Sequence, residues 1–319
     1  MKPFALARPA TLAEARRLAR EATPLAGGTD LLGLMKAGVA APPRLVDLTG
    51  VGALRGLRRE RGRGLRIGAL VRLAELEEAK DAPQVLREAA SLAATPQLRA
   101  TGTVGGNLLQ RNRCWYFRDE AFPCWLKGGA RCFARHGENR YHSILGVEAC
   151  VAAAPSDLAP ALIALDARAA LVGPRASRTV AVADLYQAPR EGVRDEHTLR
   201  PAEIVTEVRV PEASLARRGV YLKQMERKTW AFALVSVAAA ARVHGGQVTD
   251  VRLVLGGAAP LPWRAREAER VAEGTALDER VAAAAGEAAV AGAQPLEHNA
   301  YKIVLARELV RRALLRLVT

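Results

Sequence analysis

The chain has 319 residues, half of them hydrophobic, enough to bury substantial cores in two domains; its longest apolar runs, Ala231–Ala241 and Val281–Ala291, are too short and alanine-rich to cross a bilayer. Its formal charge of +14 is carried almost wholly by arginine (40 Arg, 7 Lys), but aromatics are only 4% and the arginines recur among apolar positions at helical spacing, as in Glu14–Arg20 and Arg307–Arg312. That argues against nucleic acid and for solvated helix faces, with a basic surface suited to acidic partner subunits.

In chain order, Met1–Arg8 lacks a signal-peptide core, so the expected location is the cytoplasm, or the periplasm if a partner subunit carries the folded chain across. Thr11-Leu-Ala-Glu14 is a capping box that predicts a helix to about Glu21. Thr23–Leu32 reads as a short strand, a glycine turn and the start of a second helix. Strands are predicted at Arg44–Leu48 and Leu65–Ala69, a short helix at Leu73–Glu78, and an amphipathic helix over Pro83–Ala94 that leads to the loop Thr101-Gly-Thr-Val-Gly-Gly-Asn107. Beyond a cysteine-bearing stretch, Ser156–Leu165 is helical, Ala169–Gly173 and Arg178–Val182 are strands, and Glu203–Pro211 alternates as a strand that proline stops. Composition changes at Glu212–Arg218. Strands Val220–Glu226, Val235–Val243 and Val248–Gly256 follow, then helices near Trp263–Ala272, Ala276–Ala291 and His298–Leu317. The expected fold class is α+β rather than a doubly wound sheet.

Two features carry chemistry. Gly27-Gly28 and Gly105-Gly106 each stand where a strand is expected to end, and such loops offer several N–H groups to phosphate oxygens. Neither is a G-x-G-x-x-G or Walker A sequence, and a plain structural turn is the alternative. All four cysteines, Cys114, Cys124, Cys132 and Cys150, fall within 37 residues, at gaps of nine, seven and seventeen. Four thiolates are a complete ligand set for a [4Fe-4S] cluster. A structural zinc site, two disulfides and four unrelated thiols stay open, although zinc ligands usually come in close pairs.

Leu25-Ala-Gly-Gly-Thr-Asp-Leu-Leu32, Thr103-Val-Gly-Gly-Asn107 and Ser156-Asp-Leu-Ala-Pro-Ala-Leu162 resemble, in order, three signatures of the FAD-binding medium subunits of the molybdenum hydroxylases. The likeness continues through Ile67-Gly-Ala69, Glu203-Ile-Val205, Tyr221–Lys228 and Leu253–Gly257 and covers essentially the whole chain. The roughly forty residues between the Gly-Gly-Asn loop and the Ser-Asp helix resemble the insert of a minority branch that carries a [4Fe-4S] cluster. Asn107–Arg118, Phe122–Cys124 and Gly137–Gly146 look most like the aldehyde oxidoreductase type, and next the 4-hydroxybenzoyl-CoA reductase type.

The resemblance implies a vanillyl-alcohol-oxidase-like (PCMH-type) FAD-binding domain over residues 1–212, with an iron–sulfur insert at about 108–150, and a CO-dehydrogenase-flavoprotein-type α+β domain over 213–319. Ala26, Gly27, Gly28, Thr29, Asp30, Leu31, Leu32 and Gly33 would wrap the FAD pyrophosphate, with side-chain contacts from Thr29 and Asp30. Thr103, Gly105, Gly106 and Asn107 would form the opposite wall. Asp157 would bond the ribose or adenosine (or simply cap its helix), and Val205 and Lys223 would lie near the isoalloxazine ring. Cys114, Cys124, Cys132 and Cys150 would hold the cluster, leaving His136 and His142 no necessary role. Implied partners are a molybdenum-cofactor large subunit, a [2Fe-2S] small subunit and a ferredoxin-like one-electron carrier. The insert's arginines (Arg111, Arg113, Arg118, Arg131, Arg135, Arg140) would tune the cluster, dock an acidic carrier or simply solvate a loop. A zinc-stabilised, flavin-free bridging subunit and a stand-alone FAD oxidase are the competing functions.

Overall fold

The computed structural model describes residues 1–228 and 230–319. The chain opens with β1 (Ala5–Ala7), α1 (Leu12–Leu18), β2 (Thr23–Leu25), α2 (Leu31–Lys36) and β3 (Arg44–Asp47), and the strands form a parallel sheet ordered β1-β3-β2. Thr11 Oγ1 accepts the Glu14 amide, while the Glu14 carboxylate returns to the amide of Ala10 rather than that of Thr11. The first helix stops at Leu18, short of the expected Glu21, because the amides of Arg20 and Glu21 switch to carbonyls three residues back and tighten the last turn.

Next come β4 (Leu57–Glu60), β5 (Gly64–Gly68), α3 (Leu73–Glu78), α4 (Gln84–Ser91), α5 (Pro96–Arg99), α6 (Val104–Leu108), α7 (Trp115–Arg118), α8 (Leu158–Ala164), β6 (Arg168–Val172), β7 (Ser177–Ala181) and β8 (Ile204–Val210). Their strands build an antiparallel sheet ordered β4-β5-β8-β6-β7. One expectation changes here: Gly105-Gly106 is not a loop at a strand end but the first turn of α6. Thr103 is its N-cap, with Oγ1 accepting the Gly106 amide at 3.1 Å, and this cap outweighs the turn preference of the glycine pair.

After a 3₁₀ turn at Glu212–Ala216 come β9 (Arg218–Gln224), β10 (Val235–His244), β11 (Gln247–Gly256), β12 (Trp263–Arg264), α9 (Arg266–Ala272), α10 (Glu279–Val290) and α11 (Tyr301–Val318). The strands form an antiparallel sheet ordered β12-β11-β10-β9. Trp263 thus ends a sheet instead of starting a helix. β10 is apolar on both faces because both are covered. Val235, Val237, Ala239 and Ala241 join the core under α9–α11, whereas Ala238 and Ala240 join the core of the preceding sheet with α4 and α8. The architecture is α+β. Among the described residues no helix is long and apolar enough to cross a membrane.

The long connection between α6 and α8 is sewn to the C-terminal helix. Lys302, fully buried on α11, donates to the carbonyls of Tyr141, His142 and Gly257 at 2.8–3.0 Å. Asn299 donates to the carbonyls of His142 and Ser143, and Asn139 Oδ1 accepts the amide of His298. The imidazole of His142 sits beneath this seam, 4% exposed, with neither nitrogen hydrogen-bonded. Burial, and secondarily the Lys302 charge, pull it from 6.5 down to about 4.

The unfolded chain therefore takes up this proton first. Stability from His142 is full above pH 6.5 and is lost as pH falls through about 4, by up to ~3 kcal/mol. Denaturant melts from pH 7 to 4 check this, and His142→Phe is expected to flatten that part of the profile.

Candidate cofactor-binding site

The turn between β2 and α2 and the segment leading into α6 meet backbone to backbone. A Cβ on Gly27 would run into the carbonyl of Thr101, and one on Gly105 would come within 3.1 Å of Ala69. Gly28 takes a left-handed conformation (φ +71°) that glycine tolerates without strain. Between these segments opens a cleft of about 290 Å3. Ala26, Gly27, Gly28, Thr29, Asp30 and Leu31 line one side, Thr103, Gly105 and Gly106 the other, and Val205 of β8 the floor. A second chamber of about 180 Å3 shares Thr29, Asp30, Thr103 and Gly106 with the first and adds Asn107, Arg113, Asp157 and Lys223. Leu32 and Gly33, on α2, line neither chamber.

The polar side chains are tied down. Asn107 Oδ1 accepts the Ser156 hydroxyl at 2.7 Å and the Leu158 amide at 3.2 Å, which fixes the start of α8 against α6. Asp157 stands at the N-cap of α8 but does not cap it; Ser156 Oγ takes the Ala159 amide instead. The Asp157 carboxylate accepts the Tyr221 hydroxyl at 2.8 Å and Lys223 Nζ at 3.0 Å, and Lys223 also donates to the Leu92 carbonyl. Burial raises the Asp157 carboxyl above its ordinary value, while Lys223 and Tyr221 pull the other way. Lys223 and Asp157 thus line the second chamber as an ion pair, while Val205 lines the first.

Asp30 lines both chambers, and its side chain has further partners. Its carboxylate is taken up by the cysteine insert: Oδ1 accepts Arg118 Nη2 and Arg113 Nη1, both at 2.7 Å, and Oδ2 accepts the Arg111 amide at 2.9 Å. A carboxylate aimed at a pyrophosphate would repel it, and two guanidinium groups remove that conflict. Arg113 is buried deeply enough to fall to about 10 even beside Asp30. Arg111 pairs with Glu196, which also accepts the Asn112 amide. Three of the insert's six arginines therefore turn inward, while Arg131 and Arg140 are exposed.

Cys114, Cys124, Cys132 and Cys150 all line one narrow cavity, walled by Tyr116, Phe117, Leu126 and Phe133. All four are free thiols, which removes the disulfide alternative. Burial pushes Cys114 up to about 12 and Cys150 higher still, so these thiols are protonated when nothing positive lies between them. Among the described residues no three His, Cys, Asp or Glu side chains are arranged to hold a metal ion. Glu196 and Tyr221, which hold the insert and Asp157, are site residues that the sequence did not reveal; no spacing rule joins them to their partners.

Residues 2–213 match the FAD binding domain in molybdopterin dehydrogenase, and residues 220–317 match the CO dehydrogenase flavoprotein C-terminal domain. The chain belongs to the FAD-binding medium subunits of the molybdenum hydroxylase family, and is an oxidoreductase subunit. It is 39% identical over 317 residues to the aldehyde oxidoreductase FAD-binding subunit PaoB of Escherichia coli (strain K12), covering 96% of each chain. It is 31% identical over 322 residues to the carbon monoxide dehydrogenase medium chain of Afipia carboxidovorans, covering 96% of this chain and 93% of that one. It also superposes on carbon monoxide dehydrogenase from Hydrogenophaga pseudoflava with a TM-score of 0.77, at 28% identity, over 99% of this chain and 97% of that one.

Glycines of the β2–α2 segment separate into tight and open positions. Gly27→Ala is expected to destabilise by more than about 2 kcal/mol, because backbone must move. Gly33→Ala, with open space around it inside α2, is expected to be neutral or to stabilise by up to about 1 kcal/mol. Urea midpoints of the two variants check both.

Proposed function

We propose that the chain binds FAD across the two joined chambers and a [4Fe-4S] cluster on Cys114, Cys124, Cys132 and Cys150. It would pass electrons between molybdenum and [2Fe-2S] partner subunits and an external acceptor, in a complex that oxidises aldehydes. The observation that carries the reading is that four free thiols line one cavity while a cleft bordered by Asp30 and the glycine turns opens within the segment that matches the FAD binding domain.

The residues fit FAD. Gly27 and Gly105 pack against Thr101 and Ala69 with no room for a side chain, which holds the cleft walls in place, and glycine-rich turns of this kind offer backbone N–H groups to phosphate oxygens. The backbone of Ala26–Leu31 would take the phosphates, with Thr103, Gly105 and Gly106 opposite; Asp157 and Lys223 would orient the part of the ligand in the second chamber. Bound FAD supplies the exchange between one-electron centres and a two-electron acceptor. The donor set also fits a cluster. Four free thiols around one cavity are a complete ligand set for such a cluster. Cys114 and Cys150, raised by burial, would lose their protons only to a strongly positive guest.

The aldehyde assignment rests on the 39% identity to the aldehyde oxidoreductase subunit across the whole chain. The flavin domain would occupy residues 1–212, with the insert at about 108–150, and the C-terminal domain 213–319. Exposed Trp115, Phe122 and Arg131 near the thiol cavity offer a face to an acidic, ferredoxin-like carrier.

Iron, acid-labile sulfide and flavin analysis of anaerobically purified protein tests this. About four iron, four sulfide and one FAD per chain are expected, with iron and sulfide lost in Cys124→Ser. One zinc, without sulfide or flavin, would instead leave a structural metal site in a bridging subunit.

A further inference from the structure

We propose that Asp30 is a positioning residue through which the dinucleotide loop and the cysteine insert order one another, so that loading one cofactor raises the affinity for the other. The inference rests on the two-cofactor reading above and goes beyond it.

Two independent routes leave this residue for the thiol cavity. The first is polar. Asp30 Oδ1 holds Arg118, whose Nε and Nη2 donate to the carbonyls of Asn112 and Arg111 at 2.8 Å, and Asn112 Oδ1 accepts the Cys114 amide at 2.9 Å. The second is apolar. α2 starts directly after Asp30, and Leu34, one turn on, packs in the same cluster as Cys124, Cys150 and Phe117. Asp30, meanwhile, lines both chambers of the cleft.

The side chains involved are well shielded, at 16% exposure for Asp30, 19% for Arg118 and 28% for Arg113, so the pairs are screened less than surface bridges. If the insert loosens, Asp30 faces the phosphate site as an unneutralised anion and the loop that must wrap the phosphates loses its anchor. If the loop is held by its ligand, Arg118 and Arg113 are held too, and with them the backbone of Cys114. Coupling of this kind is reciprocal by thermodynamic necessity.

The test is a coupling cycle on the full chain. FAD affinity is measured by fluorescence quenching on cluster-loaded protein and on protein stripped with a chelator under anaerobic reducing conditions, for the wild type and Asp30→Asn. Stripping is expected to weaken FAD binding in the wild type on the order of tenfold. In Asp30→Asn, FAD should bind weakly from the start, and stripping should change it less than about twofold. Arg118→Gln, which leaves Arg113 on Asp30, is expected to lie between them and serves if Asp30→Asn does not fold. Equal weakening in wild type and variant, or none in the wild type, would overturn the coupling while leaving both cofactors in place. Absence of FAD or of a cluster from every form would overturn the two-cofactor reading itself, and this inference with it.

Discussion

A carboxylate shielded from water must be neutralised, and the way this chain neutralises Asp30 organises the rest of the site. Two guanidinium groups and one amide from the insert close on it. Those contacts bring Arg111–Arg118 against the β2–α2 turn, and with them Cys114, which lines the thiol cavity. The opposite end of the insert is fixed by a different device, the buried Lys302 and Asn299 bonded to backbone carbonyls at Tyr141, His142 and Ser143. An insert of irregular backbone thereby gains two rigid boundaries, one at the cleft and one on the C-terminal helix.

The two candidate sites use opposite electrostatics. At the cleft, charges are paired within the protein: Asp30 with Arg113 and Arg118, Arg111 with Glu196, and Asp157 with Lys223. In the thiol cavity nothing is paired. Cys114 and Cys150 are held neutral by burial, with aromatic rings and Leu126 around them. Such a cavity has its charge supplied by what it binds.

The fold was legible wherever a pattern was long enough to show its period. β8, β10 and β11 alternate or run apolar over seven to ten residues and were expected within a residue or two. Three-residue β1 and two-residue β12 cannot display a period, and they pair only because a neighbouring strand is in place. α6 was hidden by its own glycines. At the site, the glycine turns and cysteine segment stood out by composition and by family likeness. Their wiring did not: Asp30 meets Arg111 and Arg118 across 81 and 88 residues, and Asp157 meets Lys223 across 66. Arg111, Arg113 and Arg118, for which the sequence leaves tuning, docking and solvation all open, turn inward because topology brings the carboxylates of Asp30 and Glu196 beneath them.

The central claim, that turn and insert form one cooperative unit, is tested most directly by amide hydrogen exchange on Arg118→Gln against the wild type. The account expects residues 26–34 and 111–117 to lose protection together and by similar factors, because both open when the Asp30 anchor weakens. Loss confined to the insert, with the β2–α2 turn as protected as before, would contradict it.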